Sequence, residues 1–95
     1  MVLIQMAGFS GSGKSTLAKE ISKYFDVIIL DRDVIKTSMM EAGVDLNIVA
    51  NASYHTTFCL CSYYLSLGRS VIIDTPCFHC ETLNTGINIA KKYNA

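Results

Sequence analysis

The chain has little charge to spare and none in excess. Eight basic and eight acidic side chains cancel over 95 residues, so the net charge carries no footprint of a nucleic acid or an acidic surface. No apolar run approaches the roughly 18 residues needed to cross a bilayer. The apolar start has no basic segment ahead of it and runs straight into a Gly/Ser-rich stretch, an order that predicts a strand and not a secretion signal. Internal repeats, low-complexity tracts and linkers are absent. What remains is one small domain, with 51% hydrophobic residues to build its core.

One stretch organises the rest: Gly8-Phe9-Ser10-Gly11-Ser12-Gly13-Lys14-Ser15, followed directly by Thr16. Its spacing is that of the phosphate-binding loop, G-x-x-x-x-G-K-[ST]. Val2 to Ala7 before it reads as a buried strand. After it, Leu17, Ile21, Tyr24 and Phe25 recur at i, i+4, i+7 and i+8, which predicts the buried face of a helix. Glycines let the backbone curl until successive N–H groups, here from about Gly11 to Ser15, point at phosphate oxygens. The positive end of the following helix faces the same anion. Lys14 is expected to reach the β- and γ-phosphates and Ser15 to offer its hydroxyl to Mg²⁺. Gly8, Ser10, Gly11, Ser12, Gly13, Lys14, Ser15 and Thr16 are therefore the expected nucleotide-binding residues. A plain Gly/Ser turn would leave a lysine followed by Ser15 and Thr16 at a helix start without a reason.

Further along, Val27-Ile28-Ile29-Leu30 is a continuous apolar run, as in a strand covered on both faces. It ends in Asp31-Arg32-Asp33, and a short helical stretch continues to about Met40 until Gly43 closes it. Val44 to Ala50 reads as a loop. A longer helix is expected from Asn51 or Ser53, either of which could cap it. Its apolar stripe is Tyr54, Phe58, Cys61 and Leu65, flanked by Leu60, Tyr64 and Leu67, and Gly68 stops it. Val71-Ile72-Ile73 is a third apolar strand ending at Asp74-Thr75-Pro76. Leu83, Ile87 and Ala90 mark a last helix, with Gly86 as its weak point. This order predicts an α/β fold with right-handed crossovers and a parallel sheet. Ligands bind such sheets at the carboxyl ends of the strands, where Gly8, Asp31, Asp33 and Asp74 all fall.

Each carboxylate has a bland and a chemical reading. Asp74 ends an apolar strand, where an acid can orient Mg²⁺ beside the loop serine; otherwise it is a turn residue before Pro76. Of Asp31 and Asp33, one is expected to face the terminal phosphate. A carboxylate there can accept the proton of an attacking hydroxyl, and Asp33 is preferred over Asp31 for that role. Asp33 can also cap the next helix. Lys36, one turn later, can hold an anionic group of the substrate or stand as a solvated surface lysine.

With these residues placed, the chain resembles the P-loop kinase superfamily, specifically its small "AAA family ATPase / predicted kinase" group. That group lies near zeta toxins, chloramphenicol phosphotransferase, gluconate and shikimate kinases, and polynucleotide 5′-kinase. MAGFSGSGKSTLAK, LDRDVIK and GRSVIIDTPCF carry the resemblance, the first as a Walker A segment and the third as the group's Walker B strand. The resemblance implies ATP as donor with Mg²⁺, catalytic roles for Lys14 and Asp33, substrate contact by Lys36, and a three-layer P-loop fold with strands ordered 2-3-1. It also implies that residues 1–95 form one kinase-like domain lacking the family's C-terminal strands and arginine-bearing lid. In that order the first strand would be a bare apolar edge, prone to self-association. Of the two arginines, Arg32, directly after Asp31, is a candidate partial replacement for a lid arginine, whereas Arg69 lies at the wrong end of the sheet.

Four cysteines (Cys59, Cys61, Cys77 and Cys80) in a chain of this type predict reduced thiols in the cytoplasm. Cys77-x-x-Cys80 lacks the second ligand pair of a closed zinc site, and Cys59 and Cys61 diverge around a helix. Phe78 and His79 could line the substrate side of the cleft. Tyr63 and Tyr64 read as half-buried packing residues, and His55 has no evident partner. Three functions follow: a phosphotransferase acting on a small-molecule hydroxyl, a nucleotide-binding fragment without catalysis, or a polynucleotide 5′-hydroxyl kinase, which the neutral charge disfavours.

Overall fold

Short runs of Val, Ile and Leu become the strands of a parallel sheet. The computed structural model describes residues 1–6, 14–75 and 80–95, the side chains of 14, 15 and 80–82 aside. In chain order the elements are β1 (Leu3–Met6), α1 (Lys14–Tyr24), β2 (Val27–Asp31), α2 (Arg32–Glu41), α3 (Val49–Ser66), β3 (Ser70–Asp74) and α4 (Cys80–Tyr93). The strands lie in the order β1-β3-β2, the predicted 2-3-1 arrangement. Both pairings are parallel, and the register sets Met6 and Asp31 on either side of Asp74.

One face of the sheet carries the core. Leu30, Val71 and Ile73 pack with Phe58, Cys61 and Leu65 of α3, and Leu3, Ile28, Ile89 and Tyr93 close around them. Fully burying a leucine such as Leu65, 2% exposed, contributes roughly 1.5–3 kcal/mol. Glycine placement ends the helices where the sequence predicts. Gly43 (φ 89°) and Gly68 (φ 78°) adopt the left-handed conformation that side chains disfavour. After each, the next amide reaches back to a helical carbonyl, Val44 N–H to Met39 and Arg69 N–H to Tyr64, both at 3.0 Å.

Four local expectations change. The long helix begins at Val49, earlier than Asn51 or Ser53, and its N-cap Ile48 offers no side-chain bond. The turn is instead made by the Asp45 carbonyl, which accepts from both Ile48 and Val49 N–H at 3.0 Å. That earlier start places Ser53 inside the second turn, fully buried. The stripe holds for Phe58, Cys61 and Leu65, but Leu67 is exposed at the helix end.

In α1 the buried residue is Ala18, while Leu17, Tyr24 and Phe25 are exposed and Ile21 is half-buried. The helix packs on β2 and β3. Ile21, and Phe25 just past the helix end, border a groove of about 410 Å³ with Val2, Ile4 and Val27.

In α4 the expected marks Leu83 and Ile87 are exposed, and Gly86 is buried. Gly86 is a contact point and not a weak one: a Cβ there would collide with the side chain of Gln5 on β1. A glycine is what lets α4 approach the sheet this closely.

β1 thus has α4 over one face, an open groove over the other and no strand beyond its outer edge among the described residues. The chain exposes 5916 Å², against about 5,400 Å² for a typical monomer of this mass.

Candidate functional site

All three strands end level. Met6 leads out of β1, Asp74 ends the central strand and Asp31 ends β2, with Asp74 paired to both neighbours. Paired residues on adjacent strands sit about 5 Å apart, so the register alone brings two acids to the rim at which β1 also ends. α1 begins at Lys14. Asp74 is 1% exposed.

The Asp31-Arg32-Asp33 segment divides its work among three directions. Asp31 is the N-cap of α2, its carboxylate accepting the amides of Asp33 at 2.9 Å and Val34 at 3.4 Å. Asp33, the expected capping alternative, is released from that duty and half-exposed at the first turn of the helix. The cap falls to Asp31 because it still has extended backbone (φ −95°, ψ 108°), which a cap requires and a helical residue lacks. Asp33 borders an open groove of about 410 Å³ along α2, with Val34, Thr37, Ser38 and Glu41.

Arg32 turns inward and is 6% exposed. Its Nε donates to Ser53 Oγ at 2.9 Å, and its guanidinium lies 4.2 Å from the centre of the Tyr54 ring. One terminal nitrogen is 3.6 Å from an Asp33 carboxylate oxygen. Sequence reasoning missed this role. The arginine is engaged in joining α2 to α3 and is not free to stand in for a lid arginine. Ser53 is itself fixed by donating to the Ala50 carbonyl at 2.8 Å. The start of α2, and with it Asp33, is therefore tied to α3.

The structure brings Asp31, Asp33 and Asp74 to one rim. Lys36 is half-buried and does not line the groove beside Asp33. Thr16 is exposed on α1. Gly8, Ser10, Gly11, Ser12 and Gly13 lie outside the described residues, as do the side chains of Lys14 and Ser15 and the segment containing Cys77, Phe78 and His79. Magnesium favours hard oxygen ligands, and the rim fits such an ion in kind: a buried carboxylate at Asp74 is followed by Thr75, whose buried hydroxyl has no protein partner.

Away from the rim, Arg69 pairs with Asp26 at 2.9 Å at the opposite end of the sheet, as expected. His55 lies 3.5 Å from the Cys59 sulfur on the outside of α3. Tyr63 is exposed and meets Tyr64 edge-on. Cys59 and Cys61 are free thiols, and burial pushes the Cys61 thiol up to about 11. Among the described residues no cluster of three metal-ligating side chains occurs, and no helix is long and apolar enough to cross a membrane.

Comparison with known proteins agrees with this geometry. The profile of the AAA domain family matches residues 3–95. No curated protein matches the chain. Among solved structures, a candidate kinase from Chloroflexus aurantiacus superposes with a TM-score of 0.82 at 18% identity, over 95% of this chain and 51% of that one. At that identity the likeness concerns the fold. The chain spans about half the length of the structure it matches.

Proposed function

Because the chain belongs to the AAA domain family, within the P-loop kinase superfamily, we propose that it binds ATP with Mg²⁺ and serves phosphoryl transfer to a hydroxyl of a small molecule. Residues 8–16 hold the polyphosphate, Lys14 neutralises charge on the β- and γ-phosphates, and Ser15 with Asp74 holds the cation. Bound magnesium would offset charge on the polyphosphate. Asp33 accepts the proton of the attacking hydroxyl, while Asp31 holds the helix that presents it. Lys36 is kept as a contact for an anionic group of the acceptor.

One observation carries the reading. The register levels Asp74 with the ends of both neighbouring strands, and the Asp31 cap leaves Asp33 outward at the same rim. Titrating Mg·ATP onto the chain and onto Lys14→Ala tests it: the wild type binds and the variant loses most of its affinity. Equal affinities would remove the basis of the proposal.

A second reading is favoured by the 51% coverage of the matched structure. In it, residues 1–95 are a kinase-like unit that binds nucleotide and by itself turns none over. Binding with no phosphate transferred to any of a panel of small hydroxylated acceptors supports this reading; robust turnover eliminates it. A cytoplasmic setting with reduced thiols belongs to both readings. So does self-association through the open edge of β1, which sedimentation at increasing concentration would detect.

A further inference from the structure

The buried polar groups behind this rim are matched with partners, with one exception. Arg32 donates to Ser53, Ser53 to the Ala50 carbonyl and Thr57 to the Ser53 carbonyl. The exception among the described side chains is Thr75, whose hydroxyl has no hydrogen-bond partner. Thr75 is 0% exposed and follows Asp74 directly at the end of the central strand. A hydroxyl in that condition is a cost to the fold, because a methyl of the same shape would need no partner.

We infer that Thr75 is a ligand contact: its hydroxyl donates to a phosphate oxygen of the Mg·nucleotide at this rim. The inference rests on the nucleotide reading above. A bond to an ionised oxygen is among the stronger hydrogen bonds, so a group left unmatched in the free protein gains most when the anion arrives. The free chain is then less stable than it could be at this position, and nucleotide binding recovers the difference. Among the candidate site residues Thr75 is alone in predicting opposite effects on folding and on binding.

Thr75→Val exchanges the hydroxyl for a methyl at nearly constant shape. In the full chain without nucleotide, its thermal midpoint rises by about 2–5 °C. Its Mg·ATP dissociation constant, measured by titration calorimetry, rises about tenfold or more. Thr75→Ser keeps the donor and binds within about threefold of wild type. An unchanged affinity in Thr75→Val overturns the inference, and so does a lower midpoint, since the hydroxyl would then be holding the fold. If wild type takes up Mg·ATP in a Lys14-dependent way and Thr75→Val does so equally well, the inference falls alone. If wild type takes up none, the nucleotide reading falls with it.

Discussion

The Arg32 Nε donates to the Ser53 Oγ across 2.9 Å, joining the first turn of α2 to the second turn of α3. The bond is buried and one partner is charged, the circumstance in which losing the acceptor is most damaging. Ser53→Ala is therefore expected to cost about 1.5–3 kcal/mol, read as a lower urea midpoint at unchanged slope. Arg32→Met removes the donor as well. The double variant should lose less than the sum of the single ones, by about 1–3 kcal/mol. Strict additivity would mean that the bond contributes nothing.

Asp31 and Asp33 separate cleanly by experiment. Asp31→Ala removes the cap of α2 and should cost about 0.5–2 kcal/mol. Asp33→Asn alters a half-exposed carboxylate and should stay within about 0.5 kcal/mol of wild type. In an extended form competent for turnover, Asp33→Asn should keep Mg·ATP affinity while phosphoryl transfer falls at least about a hundredfold. A variant that transfers phosphate normally would remove Asp33 as the base.

Gly86 offers a test of how α4 meets β1. A Cβ at this position would strike the Gln5 side chain, which can swing aside only by giving up its present place. Gly86→Ala should gain less than the roughly 1 kcal/mol that alanine's better helix propensity supplies, the shortfall being the cost of moving the Gln5 amide aside. In a Gln5→Ala background the same change should gain the full propensity difference, about 0.5–1 kcal/mol. Chemical denaturation of the four proteins decides it; equal gains in both backgrounds would mean the contact is not there.

The thiol of Cys61 is 0% exposed, and burial raises it from 9.0 to about 11. Its thiolate fraction at pH 8 is about a hundredfold below that of an ordinary cysteine, so alkylation should reach Cys61 only on unfolding while exposed Cys59 reacts in the native protein. The folded state holds this proton more tightly than the unfolded one. The resulting stability is present below pH 9 and is lost as pH rises from about 9 through about 11. Peptide mapping after timed alkylation checks the first statement. Comparing Cys61→Ala with wild type across that pH window checks the second.

Much of the architecture was legible because its causes are short-range. Val27–Leu30 and Val71–Ile73 declare themselves as buried strands without reference to any distant residue. Gly43 and Gly68 end helices because the backbone there needs positive φ. The order of strands and helices then leaves one economical parallel sheet, and the carboxyl ends of its strands mark the rim. The residue spacing at Gly8–Ser15 carries the proposed ligand class by the same local logic.

What the chain order could not decide was which side chain answers to which distant partner. Asp33 reads as the cap of α2 until the end of β2 leaves Asp31 extended and in that place. Arg32 reads as a free cation until Ser53 arrives from 21 residues away. Gly86 reads as a flaw until Gln5 lies against it, and α1 shows a plausible apolar face that turns out to border an open groove. By itself the sequence determined the elements and their order, because backbone conformation and periodicity are settled within a few residues. Tertiary structure alone decided faces, caps and clamps, because those depend on close packing between segments far apart along the chain.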